Sequence, residues 1–309
     1  MRMKKMRAVL SLLVVMATLG TSLAWAQTYV FRVIDVPGAA YTMTFANNNS
    51  GQAVGRIDAV ELCCVPRGYL LSQGVFKAVS YPGSAWTIAA GVNNHAHVVG
   101  SYGDSAGKQH GFLLKNGTYH RLDYLGAVLT FGLNINDADT VVGGYYDGTA
   151  NHGFTFNGTS YTQFDFQGAA GSFANTINNA GQIVGEYSLT DPNMGSGLQG
   201  YLYSNSSFGP VDFPGATQTE ALGINNKGEI VGDYYDNSGM VHGFLLSGST
   251  YTTVDFAGAS YSATETINDM GQIVGTYSTA DSFYDAHGFV ATPISGHMQS
   301  KTGEGNPRR

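Results

Sequence analysis

The chain has 309 residues, a formal net charge of −7 and 12% charged side chains, about half the share usual in soluble domains. With 42 Gly and 19 Tyr among many Thr, Ser and Asn, it excludes coiled coils and helical bundles and suits β-structure with many tight turns. The acidic balance argues against a nucleic-acid partner.

Residues 1–26 read as an export signal. Arg2, Lys4, Lys5 and Arg7 form a basic start, residues 8–20 are apolar, and Ala24-Trp25-Ala26 matches the small-x-small cleavage rule. The mature chain is expected to begin at Gln27 and to be secreted or periplasmic. No later stretch is apolar enough for a membrane span. The two cysteines, Cys63 and Cys64, are adjacent. Neighbouring Cα atoms lie closer than most disulfides prefer, so the pair is either a strained vicinal disulfide or two surface thiols. No further Cys or His stands near them in sequence to complete a metal site.

From residue 29 onward the sequence repeats. The segment Ile-Asn-Asn-Ala-Gly-Gln-Ile-Val-Gly at 177–185 returns at 224–232 and 267–275, with looser copies at 47–55, 92–100 and 135–143. His-Gly-Phe begins at His110, His152, His242 and His287, with Arg67-Gly-Tyr and Gln199-Gly-Tyr as variants. A third motif, Val211-Asp-Phe-Pro-Gly-Ala216, has five relatives. The spacing is rigid. From the third-motif position (Asp35, Ser80, Asp123, Asp165, Asp212, Asp255) to the motif Asn is always 13 residues, and from that Asn to the Val-Gly glycine always 7. One connection alone varies, between the Val-Gly glycine and the next motif glycine, by 10 to 15 residues.

Each unit reads as four strands, A to D, exemplified by 219–224, 229–234, 243–246 and 251–256. Asn and Gly in the A–B and C–D turns accept positive φ cheaply, which is hairpin chemistry. Six such units predict a six-bladed β-propeller over residues 27–294, with an all-β fold of four-stranded blades. The ordered part begins in a D-type strand (29–36) and ends in a C-type strand (288–292). The last blade is therefore expected to be closed by the N-terminal strand, three strands plus one, which leaves no unpaired end. Strand A is expected innermost, with small inward residues such as Thr219, Ala221 and Gly223. The tail, 295–309, has little apolar content and is expected to be disordered. The repeat motifs resemble the extracellular HAF-repeat proteins of bacteria, named for His-Ala-Phe, although four copies here carry Gly in place of Ala. The resemblance spans about residues 29–292. It implies export and a repeat fold, and no reaction.

Counting outward from the C–D turn sets His242 against Asp255, His110 against Asp123 and His152 against Asp165. Ring closure should set His287 against Asp35. Four copies spread around a ring cannot converge on one substrate, so these pairs are expected to hold hairpin register. The motif asparagines are expected to serve as turn residues, and Tyr102, Tyr145, Tyr187, Tyr234 and Tyr277 as blade packing. The length-variable B–C loops share a face with the D–A connections, and loops on a rigid scaffold carry function. Their Tyr, Asp, Asn and Ser suit a glycan, peptide or protein ligand. The candidate ligand residues are Tyr146, Asp147, Tyr235, Asp236, Asn237, Tyr284 and Asp285.

Symmetry breaks at the position after Val-Gly, which holds Arg56, Ser101, Gly144, Glu186, Asp233 and Thr276. Counting about the A–B turn of the fifth unit pairs 224 with 229 and so Glu220 with Asp233. Two facing carboxylates must share a proton, hold a cation such as calcium, or splay into solvent, the last being expected; a one-residue bulge would abolish the pairing. No Asp-x-Asp-x-Asp-Gly loop supports calcium, and no metal or other cofactor is expected. The leading expectation is a monomeric, non-catalytic binding propeller. The alternative is a polysaccharide hydrolase or lyase using Glu186, Glu220 and Asp233; a plain structural surface protein is the third.

Overall fold

A computed structural model describes residues 28–59, 65–280 and 285–294. The export segment, Cys63, Cys64, Tyr284 and the tail from residue 295 lie outside the described residues. Six four-stranded antiparallel sheets are arranged in a ring. Blade 1 holds β2 (Ala39–Asn47), β3 (Ala53–Ala59), β4 (Pro66–Ser72) and β5 (Val75–Val79). Blade 2 holds β6 (Trp86–Val92), β7 (Val98–Gly103), β8 (Gln109–Lys115) and β9 (Thr118–Leu122). Blade 3 holds β10 (Leu129–Ile135), β11 (Val141–Tyr146), β12 (Asn151–Phe156) and β13 (Tyr161–Gln163). Blade 4 holds β14 (Gly171–Ile177), β15 (Ile183–Ser188), β16 (Leu198–Ser204) and β17 (Ser207–Val211). Blade 5 holds β18 (Gln218–Ile224), β19 (Ile230–Tyr235), β20 (Val241–Ser247) and β21 (Thr250–Thr253). Blade 6 joins β22 (Tyr261–Ile267), β23 (Ile273–Ser278) and β24 (His287–Pro293) to β1 (Tyr29–Ile34) from the other end of the chain. The register Val33↔Phe289 closes the ring as the offset of the chain ends predicts.

The D strand is shorter than the spacing suggests. β21 stops at Thr253, and Phe256 lies beyond it, its ring stacked 3.7 Å from Tyr277. The same stack recurs as Tyr81–Tyr102, Tyr124–Tyr145, Phe166–Tyr187 and Phe213–Tyr234. The tyrosine after Val-Gly-x is thus blade packing. In all six D–A turns a Ser or Thr hydroxyl, such as that of Thr219, accepts the backbone N–H six residues back, here that of Phe213.

The A–B turns bind the blades to one another. The Oδ1 of Asn225 accepts the backbone N–H groups of Lys227 and Glu229, the turn role expected of it. Its Nδ2 also donates to the carbonyl of Asn268 in the next blade at 3.1 Å. The equivalent bonds run Asn48 to Asn93, Asn93 to Asn136, Asn136 to Asn178, Asn178 to Asn225, and Asn268 back to Asn48. A second ring runs one residue on. The backbone N–H of Asn49, Asn94, Asp137, Asn179, Asn226 and Asp269 each donates to the side-chain oxygen of the following member.

Strand A is innermost; of the residues expected to point inward, Asn134 and Thr176 do line the axial space, but most of the small ones do not. Thr219, Ala221, Ser172, Ala174 and Thr130 are buried against the neighbouring blade. There they make room for the His-Gly-Phe glycine, whose absent Cβ would press on that strand, as Gly200 does on Ala221. The residue between these small ones at the centre of the strand faces the axis, and in blades 1, 3 and 5 it is the larger Phe45, Leu133 and Leu222. A β-bulge interrupts every A–B pairing, for example between Ala221 and Gly223. The Val-Gly glycine sits opposite each bulge, and a Cβ on Gly143 or Gly232 would strike the carbonyl of Phe131 or Glu220.

Replacing Asn225 by Ala removes one inter-blade bond and three turn bonds, including that from Nδ2 to Glu229 Oε2, from a buried site. The expected loss is about 2–3 kcal/mol of stability, with a matching fall in denaturant midpoint. Asn157→Ala, in an exposed C–D turn whose Asn makes bonds only within its own turn, should cost well under half of that.

Candidate functional site

The bulges place one residue per blade at the axis: Phe45, Ala90, Leu133, Asn175, Leu222 and Glu265, always three before the motif Asn. All six line one axial cavity of about 410 Å³. Trp86, Ile88, Phe131, Ser101 and Gln109 extend the wall toward the B–C and D–A face. At the other end the two asparagine rings narrow the axis to a polar space of about 70 Å³. The cavity is therefore a channel stoppered at the A–B end. Blades 1 to 3 give it an aromatic and aliphatic wall; blade 6 gives it a carboxylate.

Behind Glu265 lies an acidic cluster. Glu220 pairs with Asp233 across β18 and β19, as the residue count implies, but for a different reason. The turn is one residue longer than that count, so Ile224 faces Ile230, and the bulge at Leu222 restores the offset. The bulge therefore creates the pairing it was expected to abolish. Nor do the carboxylates splay into solvent. Asp233 is buried, and its Oδ1 accepts the backbone N–H of Thr264 in blade 6 at 2.7 Å. Glu186 is enclosed, with an Oε2 that has no hydrogen-bond partner. Ring closure turns the strand-B side chains toward the next blade, out of bulk water.

Burial is the main force on these groups. It pushes Glu265 up to about 8, helped by the charge of Glu220. Burial, then Glu220, raises Glu186 well above the carboxylate range, and burial, then Glu265 and Glu220, does the same for Asp233. Burial raises Glu220 as well. Tyr235, at the end of β19, is pushed up to about 12 by burial and then by Glu220, Asp233 and Glu186. Among the described residues, no three His, Cys, Asp or Glu side chains converge as metal ligands.

The other loop candidates are occupied locally. Asp236 accepts the Ser238 hydroxyl and the backbone N–H groups of Ser238 and Met240, which hold its carboxyl down at about 2. Asp147 is held below its ordinary value by Thr149 and Ala150 in the same manner. Asp285 accepts the Thr279 hydroxyl at 3.0 Å. Tyr146 is half-buried at the end of β11, and Asn237 is exposed in its turn. The repeated histidines bridge these loops to the third motif. His242 lies 2.7 Å from Asp255 and 3.6 Å from Asp236, and its ring stacks on Tyr234. His110 and His152 meet Asp123 and Asp165 as the count of 13 implies, and His287 meets Asp35 as ring closure implies. Sequence reasoning missed Glu265 and the apolar wall. The signal was present, as a position three before each motif Asn that carries five different residues in six copies.

No protein-family model matches the sequence, and no curated protein matches it. Among solved structures, the chain is similar to the β-propeller domain of the Trilobed protease from Pyrococcus furiosus. The identity is 9% and the TM-score 0.50, over 83% of this chain and 84% of that one. It is similar to TolB from Acinetobacter baumannii at 12% identity and a TM-score of 0.50, over 67% of this chain and 52% of that one. A six-bladed fungal lectin from Aleuria aurantia aligns at 12% identity and a TM-score of 0.49, over 78% of this chain and 89% of that one. At these identities the likeness is one of fold alone: this chain is a six-bladed β-propeller with four-stranded blades.

Two measurements test the site. Folding lifts Glu265 from 4.5 to about 8, so between those values the folded protein holds protons that the unfolded chain releases. The penalty is absent below the unfolded value and full above the folded one, so stability falls as pH rises through that window. The melting temperature should fall from pH 5 to pH 8, and Glu265→Gln should flatten the slope; an unchanged slope would count against a buried acid there. His242→Ala should lower the melting temperature while leaving ligand binding intact, whereas lost binding at unchanged stability would reverse that assignment.

Proposed function

We propose that the protein is an exported, non-catalytic binding propeller whose B–C face presents the mouth of the axial channel to a glycan, peptide or protein. The observation that supports this is where the repeat varies. The Val-Gly glycine and the motif Asn, which pack and tie the blades, are the same in all six units, whereas the bulge positions, equivalent by repeat, carry Phe45, Ala90, Leu133, Asn175, Leu222 and Glu265. A scaffold needs its packing residues alike; a site for one asymmetric molecule needs its lining residues different. The export segment and the likeness to HAF-repeat proteins fit the same reading, in which the monomer works outside the cytoplasm.

A second reading, a hydrolase or lyase on polysaccharide, is favoured by one observation: carboxyls held neutral by burial, the state a general acid requires. Against it, Asp233 is tied to the backbone of Thr264. Turnover in a polysaccharide screen that Glu220→Gln or Asp233→Asn abolishes would promote the enzyme.

The binding reading is tested by filling the channel. Leu133→Trp should cut binding to any ligand found on glycan or peptide arrays at least tenfold, with the fold retained. Undiminished binding would move the site off the axis.

A further inference from the structure

Resting on the channel as the binding site, we propose that its ligand carries a cationic nitrogen, an amine or guanidinium, on an apolar body. The two halves of the cavity call for the two halves of such a molecule. Phe45, Trp86, Ile88, Phe131 and Leu133 offer apolar area on one side, where contact removes hydrocarbon from water and aromatic faces accept a cation. Glu265 lines the blade-6 wall, three blades round the ring from Phe131 and Leu133 and next to the blade of Phe45, with Asp233 joined to the neighbouring residue through the Thr264 N–H.

The acids lack a protein counter-charge. Among the described residues, the Lys and Arg ion pairs are Lys115–Asp139 and Arg121–Asp123, neither of which reaches this cluster. Arg56, the cation at the equivalent strand-B position, lies on blade 1 over the ring of Tyr41. The carboxyls of Glu186 and Glu220 meet each other behind Glu265, with Asn175 beside them, and of the four acids Glu265 is the one that lines the cavity. An enclosed carboxylate with no partner is costly, and the cluster avoids that cost by holding protons or by receiving a positive charge. A bare metal ion is a poor fit, because among the described residues no three acids converge on one point and calcium takes six or more oxygens. A nitrogen cation needs only one or two acceptors, and its carbon body fills the apolar remainder of about 410 Å³. Its arrival displaces protons, so binding releases them to solvent.

Calorimetric titration of the full chain tests this, with phenethylamine set against neutral 2-phenylethanol. Nα-acetyl-arginine methylamide is set against its citrulline counterpart, to separate a free amine from a cationic side chain. The cationic member of at least one pair should bind ten times tighter or more than its neutral partner. Its binding heat should vary with the ionisation enthalpy of the buffer, as proton release requires. Glu265→Gln, or Glu220→Gln should the first fail to fold, should remove that preference. Equal affinity within both pairs, no binding by either cation, or a preference that survives both variants would overturn the proposal. Leu133→Trp keeps the two readings apart. If it abolishes binding of neutral probes or array ligands, the channel stands and only the charge inference falls; if it leaves them intact, the channel falls too.

Discussion

The bond from one blade's asparagine side chain to the next blade's asparagine carbonyl is the constraint on which the ring depends. Each such bond contributes about 1 kcal/mol net, yet each is made only if both neighbouring blades are in place. The series from Asn48 through Asn268 and back to Asn48 therefore closes for six blades as a unit. The outer ring adds a charge pattern. Asp137 accepts amide donors from both Asn94 and Asn179, and Asp269 from both Asn226 and Asn49. Two acids set three blades apart satisfy all four flanking amides, and no two carboxylates of this ring are neighbours.

Closing the ring at the turns makes the channel possible. The asparagine bonds draw the A–B turns tight around the axis and stopper that end. Strand A must then rise along the axis with its backbone crowded against strand B, which is why a glycine stands opposite every bulge. The bulge in turn swings one side chain per blade inward. One device, repeated, thus seals the floor and supplies the lining. Since the lining side chains are the part of the repeat that packing does not dictate, they are free to differ.

The outer part of each blade solves a different problem. In blades 2, 3, 5 and 6 a His ring lies on the Tyr of Val-Gly-x-Tyr, which lies on the aromatic of the D–A turn, and the His bridges two carboxylates, as His242 does. These stacks fix the B–C loops to the blade body. That explains why Asp147, Asp236 and Asp285, plausible as ligand groups by composition, are spent on their own turns. Blade 4 has Gln199 in place of His, and its longer B–C loop is held instead by Asp191, which accepts the backbone N–H groups of Asn193 and Gly195.

The chain by itself determined what depends on neighbours close in sequence or on counting. The six units, the 13-residue step that sets His242 on Asp255, and the offset ends that pair Val33 with Phe289 were all legible, because hairpin register and repeat phase follow from residue number. The partnership of Glu220 with Asp233 was legible by number too, although a longer turn and a bulge had to cancel for the number to hold. Only the tertiary structure decided which way those carboxylates face and what meets them. Glu186, Glu220, Asp233 and Glu265 come from three blades, and the aromatic wall from three others. Residues some forty positions apart meet at an axis that exists only once the ring has closed, so their burial and their shared field are properties of the closed circle rather than of any segment.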